Sequence, residues 1–283
     1  MARARRSSPP SVRQSTRVDW RTVGGLDLRA RAIRQAFVDR FEYLGDPVMM
    51  KAPWDQLVSK DYAREVAANI RRRASAERRR GAHSPTGPAG SGALRRSSTD
   101  CTTQVCAIDC DRNMVSLTHT AVSLWGSRMV VPDTGILLNN AMIWFDPEPG
   151  KANSVAPGKR VLVNMVPALA FKKGRPYLAV GAPGGRKIVS AIPQVIANLV
   201  DVGGSVQAAV EAPRVHTEGG DLLVDDRVGD KALEGLRQRG WDVVPKTETY
   251  STFNFARPIG IRVTPKGLEA GLDPLGAAGA AGI

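Results

Sequence analysis

The chain has 283 residues, of which 42% are hydrophobic and 24% are charged, proportions that are ordinary for a globular protein. A chain of this length can bury a substantial core, as one large domain or two small ones. It contains no run of 18 apolar residues, which excludes a membrane-spanning helix. The basic N-terminus lacks the apolar stretch of a secretory signal, so we expect a cytoplasmic protein. A periplasmic or secreted location stays open if the true N-terminus lies further upstream.

The net charge of +13 is concentrated in the first hundred residues. Residues 1–100 have 21 Lys and Arg against 10 Asp and Glu, whereas residues 101–283 have 19 against 17. A basic arm of this kind can contact nucleic acid or acidic surfaces without sequence specificity. We favour the alternative of a solvated arm, because blocks of like charge usually stay in water, and we expect no nucleic-acid partner.

The upstream part of the chain is predicted to form an arm, two helices and a linker. Residues 1–25 are rich in Arg, Ser and Pro and contain little to bury, which favours a disordered basic arm. Residues 26–41 have helical apolar spacing, and the sequence LGDP stops that helix because the residue before a proline avoids the helical conformation. A second helix is predicted over 59–72 with Ser59 as its N-cap. Residues 73–101 are expected to be a flexible, accessible linker.

Downstream of the linker, short strands alternate with helices. Residues 102–122 alternate in polarity around the sequence CDRN, which predicts a β-hairpin. Residues 175–183 are predicted to form a strand, followed by a Gly-Gly turn and a helix interrupted or kinked at Pro193. Further elements are a strand in RVLVNMVPALAF, a helix in SVQAAVEAPRV, a strand in DLLVDD, a helix over 230–238, and strands in WDVVPK and IGIRVTPKGL.

Thr102 stands where the linker meets the hairpin, which makes it a candidate nucleophile. A threonine hydroxyl is a weak nucleophile until a base removes its proton. If the chain is cut immediately before Thr102, the new α-amine lies on the same residue and has an ordinary pKa of about 7.7–8.0, near neutral pH. Threonine with its own α-amine is a known nucleophile–base pair. The alternative is a threonine that merely opens an ordinary edge strand.

The length of the hairpin loop decides which residue lies beside Thr102. With a three-residue loop at 110–112 and Asn113 in the left-handed conformation, the numbers of paired residues sum to 222. Thr120 then lies opposite Thr102 on the same face, with Cβ atoms about 4.5–5.5 Å apart. A two-residue turn would pair Thr102 with Ala121 and send Thr120 to the other face. One of the two loops therefore brings a second hydroxyl next to the candidate nucleophile.

The sequence GAPGGRK places Gly184 and Gly185 between a predicted strand and a predicted helix. Glycines at such a position allow backbone N–H groups to approach a ligand closely, and a helix N-terminus favours developing negative charge. The pair is therefore a candidate oxyanion hole. The alternative is a simple tight turn, which is what most Gly-Gly sequences form.

Other reactive side chains are interpreted as structural. Cys101, Cys106 and Cys110 are odd in number and their spacing matches no zinc site, so plain thiols are favoured over metal binding. His119 is expected to point to the opposite face of its strand from the second threonine. His216, in the sequence PRVH, is assigned a structural role as well. No metal or cofactor is implied, because the threonine mechanism supplies its own base.

Several sequences resemble, in order and spacing, the small subunit of the γ-glutamyltransferase (γ-glutamyltranspeptidase) family: TTQVCAIDCDRNMVSLTHT, WGSRMVVPDTGILLNN, WFDPEPGKANSVAPGKR, GAPGGRKIVSAIPQVIANLVD and EAPRVH. The upstream sequence RAIRQAFVDRFEYLGDP, followed by LVSKDYA, resembles the end of that family's large subunit. These motifs cover nearly everything from about residue 26 to the carboxyl terminus. The chain is thereby identified as a member of the family that carries only its C-terminal portion.

The resemblance implies an α+β fold, the four-layer αββα sandwich of N-terminal-nucleophile hydrolases, here incomplete at its N-terminal side. Residues 26–72 would be the helical end of a large-subunit-like region. Residues 102–283 would be the small-subunit-like catalytic region, joined to it by the linker at 73–101. The family's precursors cut themselves into these two subunits.

The resemblance also assigns roles to individual residues. Self-cleavage would fall between Cys101 and Thr102 and would free Thr102 as the catalytic nucleophile. Thr120 matches the second threonine, which hydrogen-bonds to the nucleophile. Gly184 and Gly185 match the glycines of the family's oxyanion hole.

The glutamyl pocket departs from the family pattern. Where the family places a Gln or Glu and an Asp for the substrate's α-amine, this chain has Ala141 and Trp144. The serine pair that grips the α-carboxylate is replaced by Val163 and Asn164, and an asparagine near the two threonines by Val122. We expect Trp144 and Asn164 to contact the substrate. Because charge-assisted contacts are lost, we hypothesise an amide whose acyl group is less zwitterionic than γ-glutamyl.

The predicted function is a self-processing enzyme that hydrolyses or transfers the acyl group of γ-glutamyl, glutathione-like or related amides. Its partners would be a small-molecule amide and its own two fragments, which stay associated, with no membrane partner. The alternative is a truncated non-catalytic remnant, or a subunit that needs an upstream partner fragment. Complete precursors of the family carry further upstream strands of the sandwich, so residues 1–283 alone are expected to be unstable or inactive without them.

Overall fold

The computed structural model of the protein describes residues 18–80 and 100–282. Its helices are α1 (Val23–Tyr43), α2 (Trp54–Leu57), α3 (Lys60–Arg80), α4 (Lys187–Ala197), α5 (Val206–Glu211) and α6 (Asp230–Arg237). Its strands are β1 (Asp100–Ile108), β2 (Met114–Ser123), β3 (Ala168–Lys172), β4 (Arg175–Gly181), β5 (Val215–His216), β6 (Leu222–Asp225), β7 (Val243–Lys246), β8 (Ile259–Thr264) and β9 (Gly267–Leu272). None of these helices combines the length and apolar character needed to cross a bilayer.

The strands form three sheets. Strands β1 and β2 are a hairpin, β3-β4-β8-β9 are an antiparallel sheet, and β5-β6-β7 are a mixed sheet in which β6 and β7 run parallel. Strand β4 lies between two layers because alternate residues face opposite sides. Val180 faces α4 and α5 in one hydrophobic core, whereas Gly181 lies against the Gln104 side chain of the hairpin. Ser116 Oγ also donates to the Val180 carbonyl at 2.9 Å, which fixes the hairpin over the sheet.

The resulting order is hairpin, four-stranded sheet and helices, that is, two stacked β layers with an α layer outside. The predicted α+β class is therefore confirmed. The outer face of the hairpin is exposed in the described part of the chain, at Val105, Val115 and Leu117. This face would be the one to receive a further layer of a four-layer sandwich.

Helix α1 joins the upstream region to a second core. Thr22 caps its first turn by accepting a hydrogen bond from the Gly25 N–H at 3.1 Å, and the helix ends at Tyr43, before LGDP. Its buried apolar residues pack against the mixed sheet and α6; they are Leu26, Ala30, Ile33 and Phe37. The helix predicted over 26–41 is thus confirmed, with a start three residues earlier than expected.

Helix α3 is longer than predicted. Its predicted cap is confirmed, since Ser59 Oγ accepts from the Tyr62 N–H at 3.1 Å. The helix continues to Arg80, so residues 73–80 are helical and the predicted linker is shorter at this end. The physical reason is composition, because Ala, Arg and Glu are strong helix formers even without an apolar face. The remainder of the predicted linker up to residue 99, and residues 1–17 of the predicted arm, lie outside the described residues.

The downstream region differs from the sequence prediction in three places. Pro193 lies inside helix α4, so the predicted interruption there is wrong, whereas the alternative of a kink stays a prediction. Only the end of the RVLVNMVPALAF sequence is a strand, namely β3. The IGIRVTPKGL sequence contains β8 and the start of β9, and these two strands pair from Ile259↔Leu272 to Thr264↔Gly267. Strand β9 has two glycines and a glutamate among its six residues, so its own composition does not signal a strand.

Phe37→Ala tests how far α1 stabilises the fold. Phe37 is fully buried between Phe41 and the ring of His216. We expect its removal to lower the free energy of unfolding by about 3–5 kcal/mol, because a buried aromatic leaves a cavity. Phe41→Ala, on the same helix at 36% exposure, should cost roughly 1 kcal/mol or less. Denaturant titration measures both, and equal losses would contradict the role given to Phe37.

Candidate active site

The hairpin has the register in which the two threonines face each other. Strands β1 and β2 pair antiparallel with Thr102 opposite Thr120 and Ile108 opposite Met114, so that paired residue numbers sum to 222. The three-residue loop predicted for this register is therefore confirmed. The two-residue turn, which would have placed Ala121 opposite Thr102, is excluded.

The left-handed residue of the hairpin loop is Arg112, with φ 69°, and not Asn113 as predicted. A three-residue loop consists of a type I turn followed by its third residue in the left-handed conformation, and Arg112 is that third residue. Asn113 has a different role. Its backbone N–H donates to Asp109 Oδ1 at 2.8 Å, and its side-chain amide donates to Oδ2 at 2.7 Å.

The hydroxyl of Thr120 makes three hydrogen bonds. It accepts from Thr102 Oγ1 at 3.0 Å and from the backbone N–H of Val122 at 2.8 Å. It donates to the carbonyl oxygen of Cys101 at 2.5 Å. A hydroxyl has one proton and two lone pairs, so no capacity is left over. The proton of Thr120 is therefore directed at the carbonyl of the Cys101–Thr102 peptide bond.

A β-bulge adjoins the two threonines. The register shifts between Cys101 and Thr102, so that Ala121 has no partner across the hairpin and Cys101 pairs with Val122. Val122 is only 2% exposed and has φ 76°. A β-branched residue in the left-handed region is strained, by about 1–3 kcal/mol. Asparagine, the residue that the family pattern places here, tolerates that conformation better.

The glycine turn lies between β4 and α4. Gly184 has φ 145° and Gly185 has φ 58°. A Cβ atom on Gly184 would lie 2.5 Å from the Cα of Ala256, so both the conformation and the close packing require glycine there. The turn begins just after Gly181, whose Cα packs on the side chain of Gln104, two residues beyond Thr102 in β1. The strand leading into the turn thus lies directly against the strand of the candidate nucleophile.

The candidate substrate residues lie in two segments. Trp144 ends a short 3-10 helix, Ala141–Trp144, and its carbonyl accepts from Asn153 Nδ2 at 2.8 Å. Val163 is 42% exposed, whereas Asn164 is only 3% exposed. The amide oxygen of Asn164 is already occupied, which the sequence did not indicate.

The group that occupies Asn164 is Arg40, on the last turn of α1. Its Nη2 donates to Asn164 Oδ1 at 2.6 Å and to the Val163 carbonyl at 3.0 Å. Burial lowers the pKa of Arg40 to about 10, so its guanidinium stays charged at neutral pH. Sequence reasoning missed Arg40, because in the periodic pattern of α1 it looks like an ordinary surface arginine. A charged residue on a helix face that is otherwise buried would have been the signal.

A second contact ties the upstream region to the same segment. The carboxylate of Asp46, in the LGDP sequence, is buried and accepts from the backbone N–H of Arg160 at 2.8 Å and from its Nη2 at 2.9 Å. Val48 donates its backbone N–H to the same carboxylate at 3.0 Å. The hydrogen bonds from Arg160 hold the pKa of Asp46 well below its usual range.

The remaining reactive side chains lie apart from the two threonines. His119 is exposed on the outer face of the hairpin, as predicted. His216 is buried, with Nδ1 2.9 Å from Ser190 Oγ and Nε2 3.3 Å from Glu218, and burial lowers its pKa. Cys106 is a free thiol whose pKa is raised by burial. Among the residues described, no three His, Cys, Asp or Glu side chains cluster as metal ligands would.

Residues 13–283 match the family model described as Gamma-glutamyltranspeptidase. The chain belongs to the γ-glutamyltranspeptidase family. The motifs that suggested the family from sequence all fall within this match.

Three relatives illustrate the range of the γ-glutamyltranspeptidase family. The chain is 41% identical over 223 residues to an Acylase ACY 1 proenzyme from Pseudomonas sp. (strain SE83), covering 79% of this chain and 38% of that protein. It is 34% identical over 243 residues to the Glutathione hydrolase proenzyme of Escherichia coli (strain K12), covering 82% and 40%. The crystal structure of a cephalosporin acylase from Bacillus halodurans superposes with a TM-score of 0.72 at 27% identity, over 90% of this chain and 44% of that one. The chain thus spans about two fifths of the length of these relatives, and its predicted N-terminal-nucleophile hydrolase fold is confirmed.

Asp46→Asn tests the link between the upstream region and the pocket segment. A carboxyl whose pKa is depressed on folding stabilises the fold above its unfolded pKa of about 3.9, and loses that contribution as the pH falls towards its folded pKa. Wild type should therefore be more stable than Asp46→Asn at neutral pH, and the difference should shrink below about pH 4. Unfolding midpoints from pH 7 to pH 3 measure this. Asp55→Asn, at an exposed position, is the control, and a pH-independent difference for Asp46→Asn would contradict the assignment.

Proposed function

We propose that the protein is a self-processing threonine amidohydrolase or acyltransferase, which cuts its own Cys101–Thr102 bond and then uses Thr102 as nucleophile. The observation that carries the proposal is the contact of Thr120 with both reacting groups. Its hydroxyl is hydrogen-bonded to Thr102 Oγ1, the attacking atom, and to the Cys101 carbonyl, the group attacked. A hydrogen bond to that oxygen stabilises the negative charge that develops during attack.

Self-cleavage proceeds through an ester. Thr102 Oγ1 bonds to the carbonyl carbon of Cys101, and the C–N bond breaks with a proton passing to the departing nitrogen. Water then hydrolyses the ester, which leaves a carboxylate on Cys101 and restores the hydroxyl of Thr102. The product has a free α-amine on Thr102, and that amine is the base that the intact chain lacks.

In turnover, the α-amine of Thr102 accepts the hydroxyl proton while Oγ1 attacks the substrate amide. The amine product leaves with that proton, and water or an acceptor amine then takes the acyl group from Thr102. We assign the oxyanion of the tetrahedral intermediates to the backbone N–H groups of Gly184 and Gly185. Support for this assignment comes from their position at the N-terminus of α4 and from the steric requirement for glycine at 184.

The two fragments would remain one folded unit after the cut. Several hydrogen bonds join side chains of the upstream region to the downstream region, among them those of Arg40 and Asp46 described above. Trp20 Nε1 donates to Asp201 at 2.8 Å, and Arg29 Nη2 donates to Asn198 Oδ1 at 2.9 Å. From the downstream side, Trp241 Nε1 donates to Asp27 Oδ1 at 2.8 Å. The core around Phe37 is shared by both regions. These contacts support fragments that stay associated.

The acyl group that fits this pocket is less zwitterionic than γ-glutamyl. Ala141 and Trp144 offer no carboxylate for an α-amine, and Val163 offers no hydroxyl for an α-carboxylate. Arg40 occupies the amide oxygen of Asn164, so Asn164 can offer a substrate only its amide N–H donors. The chain is 41% identical to an acylase and 34% identical to a glutathione hydrolase, which also supports an acyl group other than γ-glutamyl.

Thr102→Ala tests self-processing. Under the proposed function, wild type yields two fragments, of which the longer one starts at Thr102, whereas Thr102→Ala stays intact because it has no attacking hydroxyl. Thr103→Ala is the matched control, since Thr103 is exposed on the other face of the same strand and should be cut like wild type. Gel electrophoresis with N-terminal sequencing measures both. A persistent single wild-type band would instead support a remnant or a subunit that needs an upstream fragment, which the exposed apolar face of the hairpin would receive.

Acyl anilides test the substrate class. We expect kcat/KM for a glutaryl anilide to exceed that for a γ-glutamyl anilide by about tenfold, because the α-amine of the latter loses its water without gaining a carboxylate partner. Trp144→Asp should shift the ratio back towards γ-glutamyl by supplying that carboxylate. Ile143→Asp, one residue away and exposed, is the control and should leave the ratio unchanged. A wild-type preference for γ-glutamyl would defeat the substrate assignment while leaving self-processing intact.

A further inference from the structure

Asn140 forms a grip on the hairpin, that is, a set of hydrogen bonds to the residues on both sides of Val122. Its backbone N–H donates to the carbonyl of Ala121 at 3.2 Å. Its side-chain oxygen accepts from the Ser123 N–H at 3.0 Å, and its side-chain nitrogen donates to Ser123 Oγ at 2.9 Å. The residues before and after Val122 are therefore held by one neighbour, which is itself the N-cap of the short helix ending at Trp144.

This grip explains how Val122 keeps a conformation that valine avoids. An isolated valine would leave the left-handed region, and such a residue stays there only where its surroundings over-determine it. Asn140 constrains both flanking residues, and the Val122 side chain is enclosed at 2% exposure. In that conformation the backbone N–H of Val122 reaches Thr120 Oγ1 at 2.8 Å.

The N–H of Val122 decides where the Thr120 proton points. It fills one lone pair of the Thr120 hydroxyl, and Thr102 fills the other. Only the Cys101 carbonyl is left for the Thr120 proton. Without the Val122 contact, the hydroxyl would be free to rotate and to donate elsewhere.

We propose that Asn140 is a positioning residue for self-cleavage, which holds Val122 left-handed so that Thr120 relays a proton from Thr102 to the Cys101 carbonyl. The inference rests on the proposed function and adds a residue to it. In the relay, Thr102 Oγ1 bonds to the Cys101 carbonyl carbon and passes its proton to Thr120 Oγ1. Thr120 passes its own proton to the former carbonyl oxygen, so that a neutral tetrahedral intermediate forms and Thr120 is regenerated. That intermediate collapses as its hydroxyl proton moves to the Thr102 nitrogen and the C–N bond breaks.

The test is the first-order rate at which freshly translated 283-residue chain is cut before Thr102. Asn140→Ala keeps the backbone contact to Ala121 and removes both side-chain contacts to Ser123. We expect it to slow the cut about tenfold or more, because the residue after Val122 is then no longer held and Val122 can relax and release Thr120. Asn139→Ala is the matched control. Asn139 is exposed, and its side-chain oxygen caps only the N–H of Ala141, so the rate should stay within about twofold of wild type.

The decisive variant combines Asn140→Ala with Val122→Gly. Glycine adopts the left-handed conformation without strain, so it needs no grip, and most of the lost rate should return. A purely structural role of Asn140 would not be repaired this way, since glycine adds no contact. Thermal unfolding midpoints of all the variants, each made on a Thr102→Ala background so that none is cut, report folding separately from the rate.

Two results would overturn the inference. Asn140→Ala that is cut as fast as wild type would show that the grip is not needed. If Asn140→Ala is cut slowly and the added Val122→Gly does not restore the rate, Asn140 does not act through Val122. If wild type itself stays uncut, the proposed function fails and the inference fails with it, which distinguishes that case from both results above.

Discussion

The hydroxyl of Thr120 is the point on which the site depends, because it has three hydrogen-bonding capacities and three partners. Two of them, Thr102 and the Cys101 carbonyl, are the groups that would react with each other. The third, the N–H of Val122, exists because the chain bulges at Ala121 and turns left-handed. One residue more or less in the hairpin loop would move Thr120 to the other face and remove its two contacts across the hairpin, to Thr102 and to the Cys101 carbonyl. The length of a surface loop thus decides which side chain faces Thr102 at the far end of the hairpin.

The regions upstream and downstream of Thr102 share a hydrophobic core, so a cut before Thr102 would leave the core contacts in place. Helix α1 lies upstream of the cut but shares its core with β5, β6 and α6, which lie downstream. The ion pair of Asp46 with Arg160 joins the same two regions at a second place. Core packing and the ion pair of Asp46 thus join the upstream and downstream regions without a covalent link, and under the proposed function they would hold the cleaved fragments together.

The upstream region also shapes the pocket. Arg40 reaches from α1 to the Val163 carbonyl and the Asn164 amide, so an upstream helix holds the segment where the family pattern has its carboxylate-binding serines. These two oxygens satisfy only the Nη2 of Arg40, whose buried Nε has no hydrogen-bond partner among the described residues. Val163 is exposed and Trp144 is half-buried. If these two residues line the acyl site as proposed, apolar contacts replace the ionic ones of the family pattern there.

Local chemistry in the sequence determined the helix at 26–41, the Ser59 cap and the glycine turn, because spacing, caps and turn residues act over a few positions. It narrowed the hairpin register to two possibilities, between which the structure decided. It also singled out Thr102 and Thr120 as a facing pair. Tertiary structure alone decided that Asn140 holds the strand around Val122, that Arg40 donates to the Asn164 amide oxygen, and that β9 pairs with β8. Each of these rests on partners brought together by folding, and a hydrogen bond between residues 124 positions apart leaves no period or spacing to read. The strain at Val122 belongs to the same class, since only surrounding contacts hold a valine in that conformation.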